Sequence, residues 1–196
     1  MGLFYKERGS MTRLFNAIYR AAHYAYHDVV RYIILYLPTA VILGVVFCVA
    51  YAIIKKMTRQ EGDLRGSELF RVFVLAVYSI AVVFITVLSR APGSEDAVDL
   101  QFLVGIGLTT SYLAELIENI LLFMPLGVML PTVLPRHGGN GFLRFVCVGG
   151  FGFAGSLAIE LTQLITSRGM FQIDDLVMNT FGALAGCLLY TLVAGE

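Results

Sequence analysis

Charge is scarce in this sequence. Aspartate, glutamate, lysine and arginine make up 14% of its 196 residues, against about 25% in a soluble domain, and hydrophobic residues make up 58% against about 45–50%. With a mean hydropathy of +0.78, the composition is that of an integral membrane protein. The charge that is present balances, 14 basic residues against 14 acidic. No bulk field therefore directs the chain toward nucleic acid or an acidic substrate, and nucleic acid is not an expected partner. Cysteine is equally sparse. Cys48, Cys147 and Cys187 fall in apolar stretches without metal-ligand spacing, which argues against a disulfide framework and a zinc site. The sequence has no HExxH and no phosphate-cradling loop, and no serine or cysteine stands near a histidine at catalytic spacing. His23 and His27, one helical turn apart beside Asp28, offer two metal ligands without a third and read as an ordinary polar face. Gly138-Gly139-Asn140-Gly141 reads as a flexible turn rather than a phosphate site. No metal and no cofactor is expected.

Long apolar runs are what the chain does have. A spanning helix needs about 20 mostly apolar residues, and the windows 32–54, 70–90, 145–165 and 176–193 meet that requirement. A fifth, 113–134, carries Glu115 and Glu118 near its start and Pro125 and Pro131 further on. Only Ile120 to Leu134 is free of ionisable groups, which is short for a straight span. The apolar stretch Phe102 to Tyr112 is too short to cross alone, so a re-entrant or interfacial turn leading into a kinked span is expected. The predicted fold is an all-α polytopic transmembrane bundle of about five spans over 32–194, in contact with the lipid bilayer. A β-barrel is excluded because the runs are long and do not alternate.

Residues 1–31 differ. Leu14, Ile18, Ala22, Ala25 and Val29 recur at spacings of three and four, while Arg13, Asn16, Arg20, His23, His27 and Arg31 take the opposite face. This pattern predicts an amphipathic arm lying in the headgroup layer. A signal peptide is not expected, because neither a continuous apolar core near residue 10 nor a small-residue cleavage site is present. With the arm set aside, the first and third loops hold seven basic residues against two on the other side, Arg90 and Arg168. The positive-inside rule then places the N-terminus outside a bacterial cell membrane and the C-terminus in the cytoplasm.

Polar residues interrupt the later apolar runs. Glu118 and Asn119 stand one turn or more before Pro125 and Gly127, and Asn119 is read as a partner for carbonyls freed by the proline. Ser156 and Glu160 share one helical face, with Gln163 a turn later. Arg168, Asp174 and Asp175 follow in the connection to the next helix, where Asp175 and Asn179 align above Gly182 and Gly186. That glycine pair predicts a close helix crossing. Ionisable groups in spans are costly unless they face one another, water or a ligand. Arg90, Asn119, Glu160, Gln163, Arg168, Asp174, Asp175 and Asn179 are therefore the candidate pocket, open toward the outer surface. The competing reading is structural: pairs such as Glu160 with Asn179 or Arg168 with Asp175 would simply hold helices together.

These residues resemble the VanZ-like family of bacterial membrane proteins. The likeness rests on Asn119, Phe123, Pro125 and Gly127, on Ser156, Glu160 and Gln163, and on Arg168, Asp174, Asp175, Asn179 and Gly182. Tyr36-Leu37-Pro38 and the stretch Thr86 to Arg90 add to it, so that it extends over roughly 32–192. The resemblance implies a cell-envelope protein, and the founding member is associated with low-level resistance to teicoplanin, a lipoglycopeptide. The expected partner is an anionic or amphiphilic envelope molecule. The alternatives are a membrane enzyme acting on a lipid or cell-wall precursor, or a small transporter, which at this length would need a homo-dimer.

Overall fold

Hydrocarbon offers a backbone no hydrogen-bond partner, so apolar runs of this length satisfy their own amides as helices. A computed structural model describes residues 2–58, 65–93, 97–103, 109–134 and 141–194. Among them α1 spans Gly2–Met57, α2 Gly66–Val83, α3 Thr110–Val133, α4 Gly141–Ile165 and α5 Ile173–Ala194. Five helical stretches are long and apolar enough to cross a membrane: Ile34–Met57, Gly66–Leu88, Ser111–Val133, Gly141–Ile165 and Ile173–Ala194. The protein is a multi-pass, all-α membrane protein, as the sequence predicts.

Two elements differ from expectation. The N-terminal arm and the first span form one helix with no break at residue 31. Residues 10 to 37 contain neither glycine nor proline, so nothing local interrupts the ladder before Pro38. The third span is also not shortened by its acids. Its helix starts at Thr110, runs 24 residues and takes Glu115 and Glu118 into its first turns. The Thr109 hydroxyl caps it by accepting from the Tyr112 amide at 3.3 Å. At the other end Leu134 is extended, as the residue before Pro135 must be. Of the predicted re-entrant stretch, residues 104–108 lie outside the described residues, while Tyr112 is already helical.

Backbone contact sets the packing. The most extensive interface is between α3 and α5, and it depends on glycine. A methyl at Gly182 would collide with the Ile120 carbonyl, one at Gly186 with the Met124 carbonyl, and one at Gly127 with the Ala183 carbonyl. The close crossing predicted from Gly182 and Gly186 is present, with α3 as its partner. On the other side of α5, Gly152 of α4 meets the Ala183 methyl. Val82, Val87, Phe123, Val148, Ile159 and Cys187 fill the core between these helices. The outward faces are apolar, as at Phe142, Ile165 and Val193, where lipid is the solvent. At the end of the bundle formed by the first and third loops, Lys55 pairs with Glu68 at 2.7 Å, and Arg71 donates to the Thr132 carbonyl at 2.9 Å.

Overpacking a tight crossing costs about 1–3 kcal/mol. Gly186→Ala is therefore expected to lower the unfolding midpoint in detergent. Gly150→Ala, where an added methyl meets nothing within 4 Å, serves as the control and leaves the midpoint unchanged.

Candidate functional site

The polar residues gather at the opposite end, where α4 turns into α5. The last turn of α4 closes with two reverse bonds, Arg168 N to the Gln163 carbonyl at 2.9 Å and Ser167 N to the Leu164 carbonyl at 3.2 Å. This is the Schellman arrangement, and Ser167 takes the left-handed conformation it requires, with φ of 50°. The turn aims Arg168 back across the bundle, where Nη1 donates to the Arg90 carbonyl at 2.7 Å. Gly93 N donates to the Ser167 carbonyl at 2.6 Å. A short parallel pair, β1 (Val98–Asp99) and β2 (Phe171–Gln172), completes the stitching of the two connections.

Folding the connection back over the helix end buries Glu160 to 1% exposure. Its Oε2 accepts the Gln172 amide at 2.8 Å. The neighbouring carboxylates are tied to other elements. Asp175 Oδ1 accepts from Asn119 Nδ2 at 2.6 Å, and Asp174 accepts from the Tyr112 hydroxyl at 2.6 Å and the Leu103 amide at 3.1 Å. Both aspartates sit in the first turn of α5, where the helix dipole favours negative charge. Deeper in the bundle, Asn179 donates to Ser156 Oγ at 2.9 Å. Gln163 Nε2 donates to the Thr86 carbonyl at 2.8 Å. Thr86 lies in a π-helical turn, Phe84–Leu88, at the end of the second span. That wider turn leaves the carbonyl to a side-chain donor. Gln163 Oε1 and Asn179 Oδ1 are buried acceptors with no hydrogen-bond donor among the described residues.

Above this buried layer lies a cavity of about 600 Å³. Arg90, Glu115, Glu118, Asn119, Arg168, Gln172 and Asp175 line it, together with Ala91, Gly169 and Met170. The Arg90 side chain rests against Gly169, where any larger residue would displace its guanidinium. That guanidinium makes no hydrogen bond or ion pair among the described residues. It is close enough to Glu115, Glu160 and Asp175 for their charges to act on it. The arrangement offers one exposed cation, Arg90, within electrostatic range of carboxylates, and a second, Arg168, fixed by a backbone bond.

Of the eight residues singled out from the sequence, Arg90, Asn119, Arg168 and Asp175 line the cavity. Glu160, Gln163, Asp174 and Asn179 do not; they brace its floor and side through the bonds above. The helix-joining pairs expected from the sequence are replaced. Asn179 bonds Ser156 instead of Glu160, and Asp175 bonds Asn119 instead of Arg168. Asn119 thus does not serve the carbonyls near Pro125, where the Tyr78 hydroxyl donates to the Leu122 carbonyl. Sequence reasoning left Glu115, Glu118 and Gln172 out of the site. Glu115, Glu118 and Asn119 stand at i, i+3 and i+4, which puts all three on one face of α3 and was the available signal.

Comparison with known proteins gives a consistent result. The family model described as VanZ/LLP1 matches residues 73–194. Protein VanZ of Enterococcus faecium is 32% identical over 83 residues, 42% of this chain and 48% of that protein. The match thus spans about half of the relative's length. No solved structure matches.

Glu160→Leu leaves the Gln172 amide buried without an acceptor and should destabilise the folded protein by about 1–3 kcal/mol. Glu160→Gln keeps an acceptor oxygen and should cost less. Unfolding midpoints of the two variants in the same detergent check this order; equal midpoints would show that the bond does not hold the connection.

Proposed function

The chain belongs to the VanZ/LLP1 family of membrane proteins, and on that premise we propose that its polar cavity binds the head of an anionic or amphiphilic envelope molecule. The observation that carries this reading is the Arg90 guanidinium, which lines a cavity of about 600 Å³ and makes no hydrogen bond among the described residues. Arg90 stands two residues past the end of the second span and is exposed, so its charge is available to a ligand at the membrane face without leaving water. Pure adhesion between helices is already supplied by the glycine crossing and by the bonds of Glu160, Gln163 and Asn179. Through this binding the protein contributes to resistance to glycopeptide or lipoglycopeptide antibiotics such as teicoplanin. Its cavity opens at the outer face of the cell membrane, with the N-terminus outside and the C-terminus in the cytoplasm. The basic first and third loops, on the opposite face, support that orientation.

Two measurements test the proposal. In a variant with Cys48, Cys147 and Cys187 replaced, a membrane-impermeant thiol reagent applied to whole cells should label Ala97→Cys and spare Gly62→Cys. The reverse pattern inverts the topology. In a teicoplanin-sensitive host, Arg168→Glu should abolish the protection given by the folded protein, while Arg168→Lys retains part of it. Protection that follows only the amount of folded protein, whatever the charge at 168, contradicts the binding reading. Turnover of a lipid or cell-wall precursor would replace it with an enzymatic one.

A further inference from the structure

Toward the middle of the spans, beneath the polar cavity, lies a second space of about 440 Å³ with apolar walls. Tyr78, Val83 and Val87 line it from the second span, Phe123 from α3, and Gly155 and Ile159 from α4. The two spaces have no lining residue in common but follow one another along the same elements. On α3, Glu115 and Asn119 face the upper space, and Phe123, Leu126 and Leu130 continue the same stripe below. On the second span, Val87 lines the lower space and Arg90, three residues on, the upper. On α4, Thr162 lines the lower space, and adjacent Gln163 reaches the Thr86 carbonyl at 2.8 Å, where apolar walls give way to polar ones. Val83 and Phe151, 47% and 53% exposed, leave the flank of the groove open to hydrocarbon.

Charge decides what kind of head fits. Among the described residues, the upper walls carry two guanidinium groups, Arg90 and Arg168, and three carboxylates, Glu115, Glu118 and Asp175. A purely anionic head gives the arginines a partner but places it against three charges of its own sign. A head carrying both signs meets both sets, with its phosphate on the planar arginine fork and its ammonium on exposed Glu115. Resting on the head-binding reading and extending it, we propose that the two spaces together hold one zwitterionic aminophospholipid of the bilayer. Its phosphate and ammonium occupy the polar cavity, one hydrocarbon tail lies in the groove, and the other tail stays in the surrounding lipid.

Gly155 is the place to test the tail. A methyl there meets Phe123 at 3.7 Å, an ordinary contact, so Gly155→Leu extends into the groove without forcing the backbone apart. Ser79→Leu closes the groove from the opposite wall and serves if the first variant does not fold. The full chain, purified in a neutral maltoside detergent, is mixed with equal phosphatidylethanolamine and phosphatidylglycerol and read by native mass spectrometry. Phosphatidylethanolamine adducts should exceed phosphatidylglycerol adducts by about tenfold, and Glu115→Gln should bring the two close to equality. Gly155→Leu should reduce phosphatidylethanolamine binding by about tenfold while leaving the affinity for water-soluble glycerophosphoethanolamine at the wild-type value.

Equal adducts or a preference for phosphatidylglycerol overturn the zwitterionic head. Unchanged lipid binding in Gly155→Leu and Ser79→Leu overturns the tail groove. Should glycerophosphoethanolamine fail to bind the wild type while Arg90→Gln leaves lipid adducts unaltered, the head-binding reading itself is overturned.

Discussion

A carboxylate that caps a backbone amide inside a helical bundle holds this structure's polar end together. Glu160 lies about 7 Å from the end of α4 at 1.5 Å per residue, and only a connection that folds back into the bundle can reach it. The Schellman turn at Ser167 starts that reversal, and the Gln172 amide completes it on Glu160 Oε2. Everything above depends on the position this gives the connection. Arg168 reaches the Arg90 carbonyl, β2 pairs with β1, and α5 begins where Asp174 and Asp175 meet Tyr112 and Asn119. Glu160, at the base of this arrangement, is buried to 1%, so its bond excludes alternatives more strongly than one at a soluble surface would.

Below the connection, the glycine crossing of α3 and α5 fixes the other wall. Where two backbones touch, the relative height of the helices is set by which carbonyl faces which glycine, Ile120 to Gly182 and Met124 to Gly186. That register places Asn119 opposite Asp175. The second span is held on α4 by Gln163, through the carbonyl left over by the π turn at Thr86. Two spaces of unlike character follow, charged above and apolar below, along a single stripe of α3. Structure and chemistry are joined here: the residues that brace the site are buried and each holds a bond across the bundle, and those facing the cavity include a guanidinium, that of Arg90, with no hydrogen bond among the described residues.

Much of this was legible in the sequence. Apolar length gave the five spans, because membrane thickness is a hard physical ruler. Gly182 and Gly186 announced a close crossing. The cluster of acids, amides and arginines marked the polar end. Less legible were contacts that depend on tertiary register. Nothing local says that Asn119 faces Asp175 rather than a proline-freed carbonyl, or that a backbone amide rather than a side chain answers Glu160. Hydropathy makes Glu115 and Glu118 interruptions of a span, because it counts charge without direction; their shared face with Asn119 carries the missing information. The arm's helix continued past residue 31 because amphipathic and fully apolar patterns differ in which solvent they face, not in backbone conformation.

The proposed binding site requires that the charged cavity lined by Arg90, Glu115, Glu118 and Asp175 be reached by water from one membrane face. Substituted-cysteine accessibility along α3 tests it most directly, with Glu115→Cys, Glu118→Cys and Phe123→Cys in a background lacking the native cysteines, exposed to a charged, membrane-impermeant thiol reagent from each side in turn. The account predicts modification at 115 and 118 from the face where Ala97 lies, and none at 123 from either. Unreactive thiols at 115 and 118, or reaction from the face of the first and third loops, would contradict it.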